Sequence, residues 1–425
     1  MTEPDTVRKM SYAPFLAAVF LFWPICGILG AQGYAPLLLL AAIPALFYAR
    51  PKMPPRTYVI LGIAFILWVA ATEAWSPASK GLISGSLSGG DLSIDTASLR
   101  IGLAALMALI VLPASMALAG TEKGNLAARI MLLGIAFQCL SLAVTAGATQ
   151  QLIVAVYGDD PARWVNGAQN LSRNATAFTL VLPILAAYLW TRGTVFWRAI
   201  SIFLVCITLI SAIRLDSQAT LLACITMIIG ALIVSAFPKN GLRIMVGSLA
   251  AYIALAPLLF GLTLRFFKIT GISLPGSFQS RAWAWERVIE ITMEKPIFGH
   301  GINASKVWRE TYADHPQWLA QLPANWAYYP VIPGHPHNMP LQIWAETGLV
   351  GALLASWALA MLALRLPAPS TLRSDVRYAT GGIIGVMFPL ISTSYNMWNE
   401  AFWASFVLAV CGIFLLAARK RESIT

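Results

Sequence analysis

The sequence has few charged residues, few histidines and few cysteines. Only 11% of its 425 residues are charged, whereas 58% are hydrophobic. A soluble domain carries about 25% charged residues. This balance excludes an ordinary soluble enzyme, and it predicts a polytopic membrane protein in which few polar side chains remain for chemistry.

Clustered metal ligands are also missing. The sequence contains no CxxC, DxD or HExxH motif, and the acidic residues of its polar segments are dispersed. A disulfide framework and a carboxylate-built divalent metal site are therefore not expected, and neither is a cofactor. The net charge of +11 is not accompanied by a basic run interleaved with aromatic residues, so nucleic acid is not an expected partner. The five cysteines lie in apolar stretches, as inert packing residues do: Cys26, Cys139, Cys206, Cys224 and Cys411.

Twelve apolar stretches indicate an all-α membrane protein with about 12 transmembrane helices, because about 20 residues cross a bilayer core. The spans are predicted near residues 12–30, 34–49, 57–75, 101–119, 127–147, 174–191, 196–213, 218–236, 244–263, 339–364, 378–394 and 401–418. No small-residue cleavage site separates the first stretch from the second, so the first is expected to be retained rather than removed as a signal peptide. We expect residues 1–425 to form a single membrane domain.

The distribution of Lys and Arg predicts the orientation. Twelve spans place both termini on one side, and short loops rich in Lys and Arg stay cytoplasmic. That side carries 17 of the 29 basic residues: Arg8, Lys9, Arg50, Lys52, Arg56, Lys123, Arg129, Arg192, Arg198, Lys239, Arg243, Arg365, Arg373, Arg377, Arg419, Lys420 and Arg421. Both termini are therefore predicted to be cytoplasmic, and the long segment 266–338, between spans nine and ten, to lie outside.

The segment 266–338, called here the histidine segment, contains all the histidines: His300, His315, His335 and His337. Histidine is the side chain best suited to proton transfer near neutral pH. The segment is expected to hold an amphipathic helix from Ser280 to about Lys295, at the membrane surface, and a second short helix through 306–312. His300 and His315 are interpreted as structural or substrate-lining residues.

His337 stands at the mouth of the tenth span and is the predicted catalytic base. Asn338 is a plausible N-cap, with Pro340 in the first turn. Gly348 follows 11 residues after His337; if the helix reached back that far, both would share a face, and another helix could approach at Gly348. The alternative to a catalytic role is that His337 is a helix-capping or surface residue. A zinc site at His335 and His337 would need two further ligands. Glu346, in the same span, receives no role.

A set of arginines on the predicted outer side are candidates for phosphate binding: Arg173, Arg214, Arg265, Arg281 and Arg287. Arginine binds phosphate with two prongs and keeps its proton. Arg214 lies between two spans with almost no loop, where a charge is costly unless it has a partner. Arg265 fits phosphate binding and snorkelling to headgroups equally well. Arg287 can instead pair with Glu290 along its own helix.

These motifs resemble those of bacterial O-antigen ligases. His337-Asn338, nine residues and then Gly348-Leu349-Val350-Gly351 is similar to the signature of that family. Arg281, Trp285 and the run Pro296–Gly301 resemble its large periplasmic loop. Arg214 resembles a Ser-Arg position of the family, although Ile213 stands here in place of the serine. The twelve-span layout with one large loop also agrees, and the same signature occurs in related polymerases and protein O-oligosaccharyltransferases.

The resemblance implies a GT-C type glycosyltransferase of the bacterial inner membrane with a periplasmic active site. It would transfer O-antigen polysaccharide from undecaprenyl diphosphate to a hydroxyl of lipid A–core oligosaccharide. His337 would act as general base, Arg214, Arg281 and Arg265 would bind the diphosphate, and Asn338 and Gly348 would support the site. No metal is expected. Three alternatives remain: an O-antigen polymerase, a protein O-oligosaccharyltransferase, and a non-catalytic transporter of polyprenyl-linked glycans.

Overall fold

The computed structural model describes residues 11–28, 33–48, 56–79, 96–158, 161–272 and 276–419. Six basic residues used to predict the orientation lie outside these ranges: Arg8, Lys9, Arg50, Lys52, Lys420 and Arg421. The described chain forms α1 (Ala13–Ile28), α2 (Tyr34–Tyr48), α3 (Thr57–Ala71), α4 (Ala97–Met116), α5 (Glu122–Gly147), α6 (Thr149–Tyr157), α7 (Pro161–Trp190), α8 (Val195–Arg214), α9 (Gln218–Ala236), α10 (Gly241–Ala254), α11 (Ala256–Thr270), α12 (Gly276–Glu294), α13 (Pro316–Leu319), α14 (Met339–Arg365), α15 (Ser374–Thr393) and α16 (Glu400–Ala418).

The protein is an all-α polytopic membrane protein. Each of the twelve predicted spans coincides with a helix or a helix pair. Among the described residues, however, only seven helices are long and apolar enough to cross a membrane, or eight if one bent pair counts as a single span. α1 and α2 are apolar but shorter, with 16 and 15 residues.

The ninth predicted span, 244–263, is not one straight helix. α10 and α11 meet near Leu255 at an angle of 79°. Pro257, at the start of α11, has no N–H and its ring would clash with the carbonyl four residues earlier. That carbonyl, of Ile253, instead accepts a hydrogen bond from the Trp344 indole of α14 at 2.8 Å. The sequence prediction overlooked this proline.

Glycine-mediated contacts pack the centre of the bundle. A Cβ atom on Gly230 of α9 would lie 2.2 Å from the carbonyl oxygen of Gly381 in α15. A Cβ atom on Gly385 would lie 2.1 Å from the Thr226 carbonyl oxygen. Small residues at such crossings let the backbones of membrane helices approach closely.

α14 begins as predicted but is broken in the middle. The Asn338 side chain caps it by accepting a hydrogen bond from Leu341 N at 3.0 Å. At Gly348 the backbone leaves the helix, with φ 66° and ψ −169°. This conformation is essentially restricted to glycine. His337, with φ 51°, lies outside the helix, so the expectation that His337 and Gly348 share one helical face is wrong.

A turn of the histidine segment fills the break in α14. His300 N and Gly301 N donate to the carbonyls of Ala345 and Glu346 at 2.9 and 2.8 Å, and Leu349 N donates to Pro296 O at 2.8 Å. A Cβ atom on Gly348 would lie 2.2 Å from Ile297 O. The close approach predicted at Gly348 therefore comes from a turn rather than from a second helix.

The rest of the histidine segment is organised around α12, which begins one turn before the predicted Ser280. Val288 and Thr292 of its predicted apolar face are buried. The helix expected through 306–312 is wrong: two 3₁₀ turns, Ala304–Val307 and Tyr312–Asp314, flank a non-helical stretch. Pairing across the segment holds that stretch out of a helix, because Val331 N donates to Glu310 O at 2.9 Å.

Candidate functional site

His337 is half-buried and held by contacts on both of its sides. Its Nδ1 lies 3.2 Å from the carbonyl oxygen of Ser394. Its backbone N–H donates to Nδ1 of His335 at 3.2 Å, and the two rings lie 4.1 Å apart. A carbonyl oxygen only accepts hydrogen bonds, so Nδ1 of His337 carries the proton and Nε2 keeps its lone pair. This tautomer is the one required of a base that acts through Nε2.

The surroundings of His337 keep its imidazole neutral. Burial lowers the pKa of His337 to about 4, and the charges of Arg281 and Arg173 act in the same direction, against the hydrogen bond to Ser394. Burial also holds the pKa of His335 well below its usual range, with His337, Arg173 and Lys306 adding to the effect. Near neutral pH, His337 is therefore unprotonated at Nε2 and ready to accept a proton.

Arg281 lies in α12, and its charge acts on His337. Burial lowers the pKa of its guanidinium, and the charge of Asp216 opposes that effect. An arginine keeps its proton in proteins, so the group stays cationic at neutral pH. Its guanidinium also lies over the Phe278 ring, 5.8 Å from the centroid. The site thus places a fixed positive charge next to a neutral base.

Arg214 occupies the tight turn that the sequence predicts. It is the last residue of α8, and α9 begins at Gln218. Its side chain is exposed. Asp216, two residues further on, has φ 48° and is the acidic group whose charge acts on Arg281. The α8–α9 turn therefore reaches the same region of the molecule as Arg281 and His337.

Arg265 is not brought into this group by any described contact. It is exposed on α11, close to Lys268, which forms an ion pair with Glu286 of α12. The exposed position of Arg265 near the end of α11 fits phosphate binding and snorkelling equally well.

Arg173 belongs to the candidate site, although the sequence alone gives it no specific role. It lies on α7, with Nη1 2.9 Å from Asn170 Oδ1, and its charge acts on both His335 and His337. Its one sequence signal is a lone arginine just before the apolar stretch 174–191. That signal is common at the ends of membrane spans, so it could not single out Arg173.

Glu346 is the second residue that the sequence left without a role. It is fully buried. Its Oε1 accepts hydrogen bonds from Ser305 Oγ at 2.6 Å, Ser305 N at 3.3 Å and Gln342 Nε2 at 3.2 Å. Its Oε2 accepts from Asn303 N at 2.6 Å and from the Trp398 indole. Five donors converge on one buried carboxylate, which offsets the cost of removing it from water.

A chain of hydrogen bonds connects Glu346 to the catalytic candidate. Gln342 Nε2 also donates to Asn396 Oδ1 at 3.1 Å, and Gln342 Oε1 accepts from Met397 N at 2.9 Å. These bonds hold the turn between α15 and α16. The same turn supplies the Ser394 carbonyl that orients His337. Glu346 and Gln342 therefore support the position of His337 through the turn between α15 and α16.

The remaining histidines and Arg287 have packing partners. His300 Nε2 lies 2.9 Å from Ile291 O, and the His315 ring stacks on Trp318 with centroids 4.1 Å apart. Arg287 pairs with Glu290 at 3.0 Å, which confirms that prediction, and with Glu310 at 2.6 Å. Across the residues that the structure describes, no group of three or more His, Cys, Asp or Glu side chains is placed to hold a metal ion.

Comparison with known proteins gives one family match. No curated protein matches this chain. The family model described as O-antigen ligase matches residues 203–356. The matched region runs from within α8 to the middle of α14, so it contains Arg214, Arg265, Arg281, His337 and Gly348. This match covers 154 of the 425 residues, and it supports membership of the O-antigen ligase family.

Proposed function

We propose that this protein transfers O-antigen polysaccharide from undecaprenyl diphosphate to a hydroxyl of lipid A–core oligosaccharide. It would be a GT-C type glycosyltransferase with twelve membrane crossings in one domain, 1–425, and its active site would face the periplasm of a bacterial inner membrane beneath the loop 266–338. The observation that carries the proposal is His337, whose Nδ1 is held by Ser394 and which burial and the charge of Arg281 keep neutral. The family match supports a transferase acting on lipid-linked polysaccharide.

In the proposed reaction, His337 acts as general base. Its Nε2 accepts the proton of the acceptor hydroxyl while the hydroxyl oxygen attacks the anomeric carbon of the donor sugar. The bond between that carbon and the diphosphate oxygen breaks, and undecaprenyl diphosphate leaves with the electron pair. The proton then passes from His337 to solvent. A base positioned in this way contributes typically about 10²–10⁴-fold to the rate.

The proposed diphosphate site is formed by Arg281 and Arg214, with Arg265 as a further candidate. Negative charge grows on the diphosphate as it leaves, and guanidinium groups already in place stabilise that charge without reorganisation. Arg173 adds to the positive field around His337. In this proposal the arginines do the work that a divalent cation does elsewhere, so neither metal nor cofactor takes part. The partners are the two glycolipid substrates and membrane lipids, not nucleic acid.

The arrangement of charges favours an enzyme over a transporter. A secondary transporter places its substrate site near the bilayer midplane, between structural repeats. Here His337 and Arg281 lie with the histidine segment, next to the first turn of α14. A polymerase or a protein O-oligosaccharyltransferase would use the same donor with a different acceptor, so the acceptor decides between them.

The test is glycan analysis of a strain that lacks this gene, complemented with wild-type protein or with His337→Ala. The proposal predicts that the deletion loses the O-antigen ladder on lipid A–core while lipid-linked polymer accumulates. Wild-type protein restores the ladder, His337→Ala does not, and the control His315→Gln does. A strain left with a single repeat unit on its core would indicate a polymerase, and loss of glycan from proteins alone would indicate a protein O-oligosaccharyltransferase. Full restoration by His337→Ala would remove the general base from the mechanism.

A further inference from the structure

An apolar groove lies between α3 and the turn that fills the break in α14. This groove, called here the aromatic groove, has a volume of about 600 Å³. It is lined by Trp68, Trp75 and Lys295–Gly299. Ligand cavities in proteins commonly measure about 300–1,000 Å³. Ile297 and Phe298 are 53% and 57% exposed. The groove is therefore large enough for a ligand and presents apolar side chains to it.

The aromatic walls are fixed by hydrogen bonds to backbone carbonyls. The Trp68 indole donates to Thr347 O at 2.9 Å, and the Trp75 indole donates to Gly299 O at 3.1 Å. The rings of Trp75 and Phe298 lie 5.7 and 6.0 Å from that of Trp68. Because the indole N–H groups are already satisfied, the ring faces remain for an apolar ligand. The groove is preformed, and a ligand need not order it.

The position of the groove separates it from the arginines proposed for the donor. Arg281 and Lys295 lie near opposite ends of α12, 14 residues apart, and at a rise of about 1.5 Å per residue they are about 20 Å apart. Trp68, one wall of the groove, contacts α14 at the Thr347 carbonyl. The unbroken part of α14 from Met339 to Thr347 leads back towards His337 over about 12 Å. A lipid tail in the groove is thus well removed from the reacting centre.

This separation fits only one of the two proposed substrates. The reacting carbon of the donor is bonded directly to its diphosphate, so the donor lipid must begin at the arginines. The reacting hydroxyl of the acceptor belongs to an oligosaccharide, and several sugars separate it from the acyl chains. Those sugars can cover the distance from the groove to His337. Lys295 supplies a positive charge at the rim of the groove, next to an apolar floor, which complements a phosphorylated lipid headgroup.

We propose that the aromatic groove binds acyl chains of the phosphorylated glycolipid acceptor, with Lys295 contacting a headgroup phosphate. The inference rests on the proposed function, because it assigns one of that reaction's two lipids to a separate site. It gives the enzyme two lipid entrances, one at the arginine end of α12 and one at the Lys295 end.

The test uses the full-length protein in phosphatidylcholine nanodiscs. Trp75→Ala, Phe298→Ala and Lys295→Glu are compared with the wild type for the acceptor KM and for the Kd of undecaprenyl diphosphate. We expect the acceptor KM to rise about tenfold, which corresponds to about 1.4 kcal/mol, with donor affinity unchanged. Lys295→Arg should keep the wild-type KM. Leu67→Ala, the neighbouring exposed position on α3, and Arg309→Glu, an exposed cation of the histidine segment, are the controls and should leave both constants unchanged.

Binding of lipid A–core to the same proteins, measured without donor, separates this proposal from the proposed function. If the wild type binds lipid A–core and the groove variants bind it about tenfold more weakly, the groove assignment stands even where no transfer occurs. Weaker donor binding with an unchanged acceptor constant would overturn it, because the groove would then hold the polyprenyl chain. Equal competition by phosphatidylglycerol would also overturn it, since the groove would then hold an ordinary bilayer lipid. Unchanged constants in all three variants would have the same consequence.

Discussion

Nδ1 of His337 lies 3.2 Å from the carbonyl oxygen of Ser394, a residue 57 positions later in the chain. This contact joins the end of the histidine segment to the turn between α15 and α16. It fixes the proton on Nδ1 and so leaves the lone pair of Nε2 for a substrate. The tautomer that the proposed mechanism requires therefore depends on a residue outside the matched family region, which ends at residue 356.

The pH dependence of transfer should show that His337 is an unusually weak base. In the proposed mechanism His337 acts in its neutral form, and burial lowers its pKa to about 4. A lowered pKa keeps the neutral form populated at more acidic pH, so kcat/KM should stay level from pH 7 down to about pH 5 and fall near pH 4. The acid limb of the kcat profile should lie at higher pH than that of kcat/KM, because the negative charge of the bound diphosphate raises the pKa of His337 in the complex. Transfer rates from about pH 3 to about pH 8 test this, and a kcat/KM midpoint near 6.5 would contradict it.

Arg281 should influence that profile as well as the rate. Its charge is one cause of the lowered pKa of His337. Arg281→Gln removes this charge, so the pKa of His337 should rise and the acid limb of the residual activity should move to higher pH. Arg309→Gln, which changes a cation elsewhere in the segment, should leave the limb in place. An unmoved limb in Arg281→Gln would place Arg281 too far from His337 to act on it.

Lysine should not replace either diphosphate arginine. It keeps the charge but loses the two-pronged contact with phosphate oxygens. Arg214→Lys and Arg281→Lys should each lower the rate by about 10²–10³-fold, in the range seen for other charge-stabilising donors. The measurement is transfer by purified protein that elutes as the wild type does. If both variants keep full rate and donor affinity, the phosphate site should be sought around Arg173, Arg265 and Lys268.

The reaction should proceed without a divalent metal. The sequence has no clustered carboxylates in the segments predicted outside the membrane, and the proposed arginines already supply positive charge at the leaving group. Transfer should therefore be unchanged in excess EDTA. The control is a metal-dependent glycosyltransferase assayed in the same buffer. Activity that is lost with EDTA and restored by magnesium or manganese would refute the prediction.

The parts of this site that the sequence predicts are those set by local chemistry. Asn338 caps α14 because its side chain reaches a backbone N–H three residues on. Arg214 ends α8 because the turn to α9 is too short to place it elsewhere. The pairing of Arg287 with Glu290 follows from helical spacing. Each of these needs only neighbouring residues, so a sequence pattern contains it.

The parts that the sequence does not predict are set by distant segments. The sequence predicts a close approach at Gly348, but the segment that approaches is the turn Pro296–Gly301 and not a second helix. Arg173 is about 160 residues from His337 and only the folded bundle brings their charges together. The contact of Glu346 with Ser305 and Trp398 likewise spans three segments. No spacing rule connects such residues, since each contact depends on how the helices pack.

Glu346 should act as a positioning residue for His337 as well as an anchor for the fold. Glu346→Gln turns an N–H group towards donors that now meet a carboxylate, and each buried donor left unsatisfied costs about 1–3 kcal/mol. We therefore expect lower thermal stability and a large loss of kcat. Two milder variants separate the two roles. Gln342→Ala removes the bonds to the turn that carries Ser394, together with one of the five donors to Glu346. Ser305→Ala removes the bonds from its side chain to Glu346 and Gly334 and leaves those to the turn in place.

If Glu346 positions His337 through that turn, Gln342→Ala should lower kcat about tenfold or more while the Kd for undecaprenyl diphosphate stays unchanged. Ser305→Ala should lower stability to a similar extent with a much smaller effect on kcat, because the Ser394 carbonyl keeps its place. The comparison is made at matched stability, by assaying both variants well below their unfolding temperatures. A purely structural Glu346 would predict that kcat follows stability in the same way in both variants. That result would restrict Glu346 to holding the histidine segment against α14, and the orientation of His337 would then depend on the Ser394 contact and the His335 ring alone.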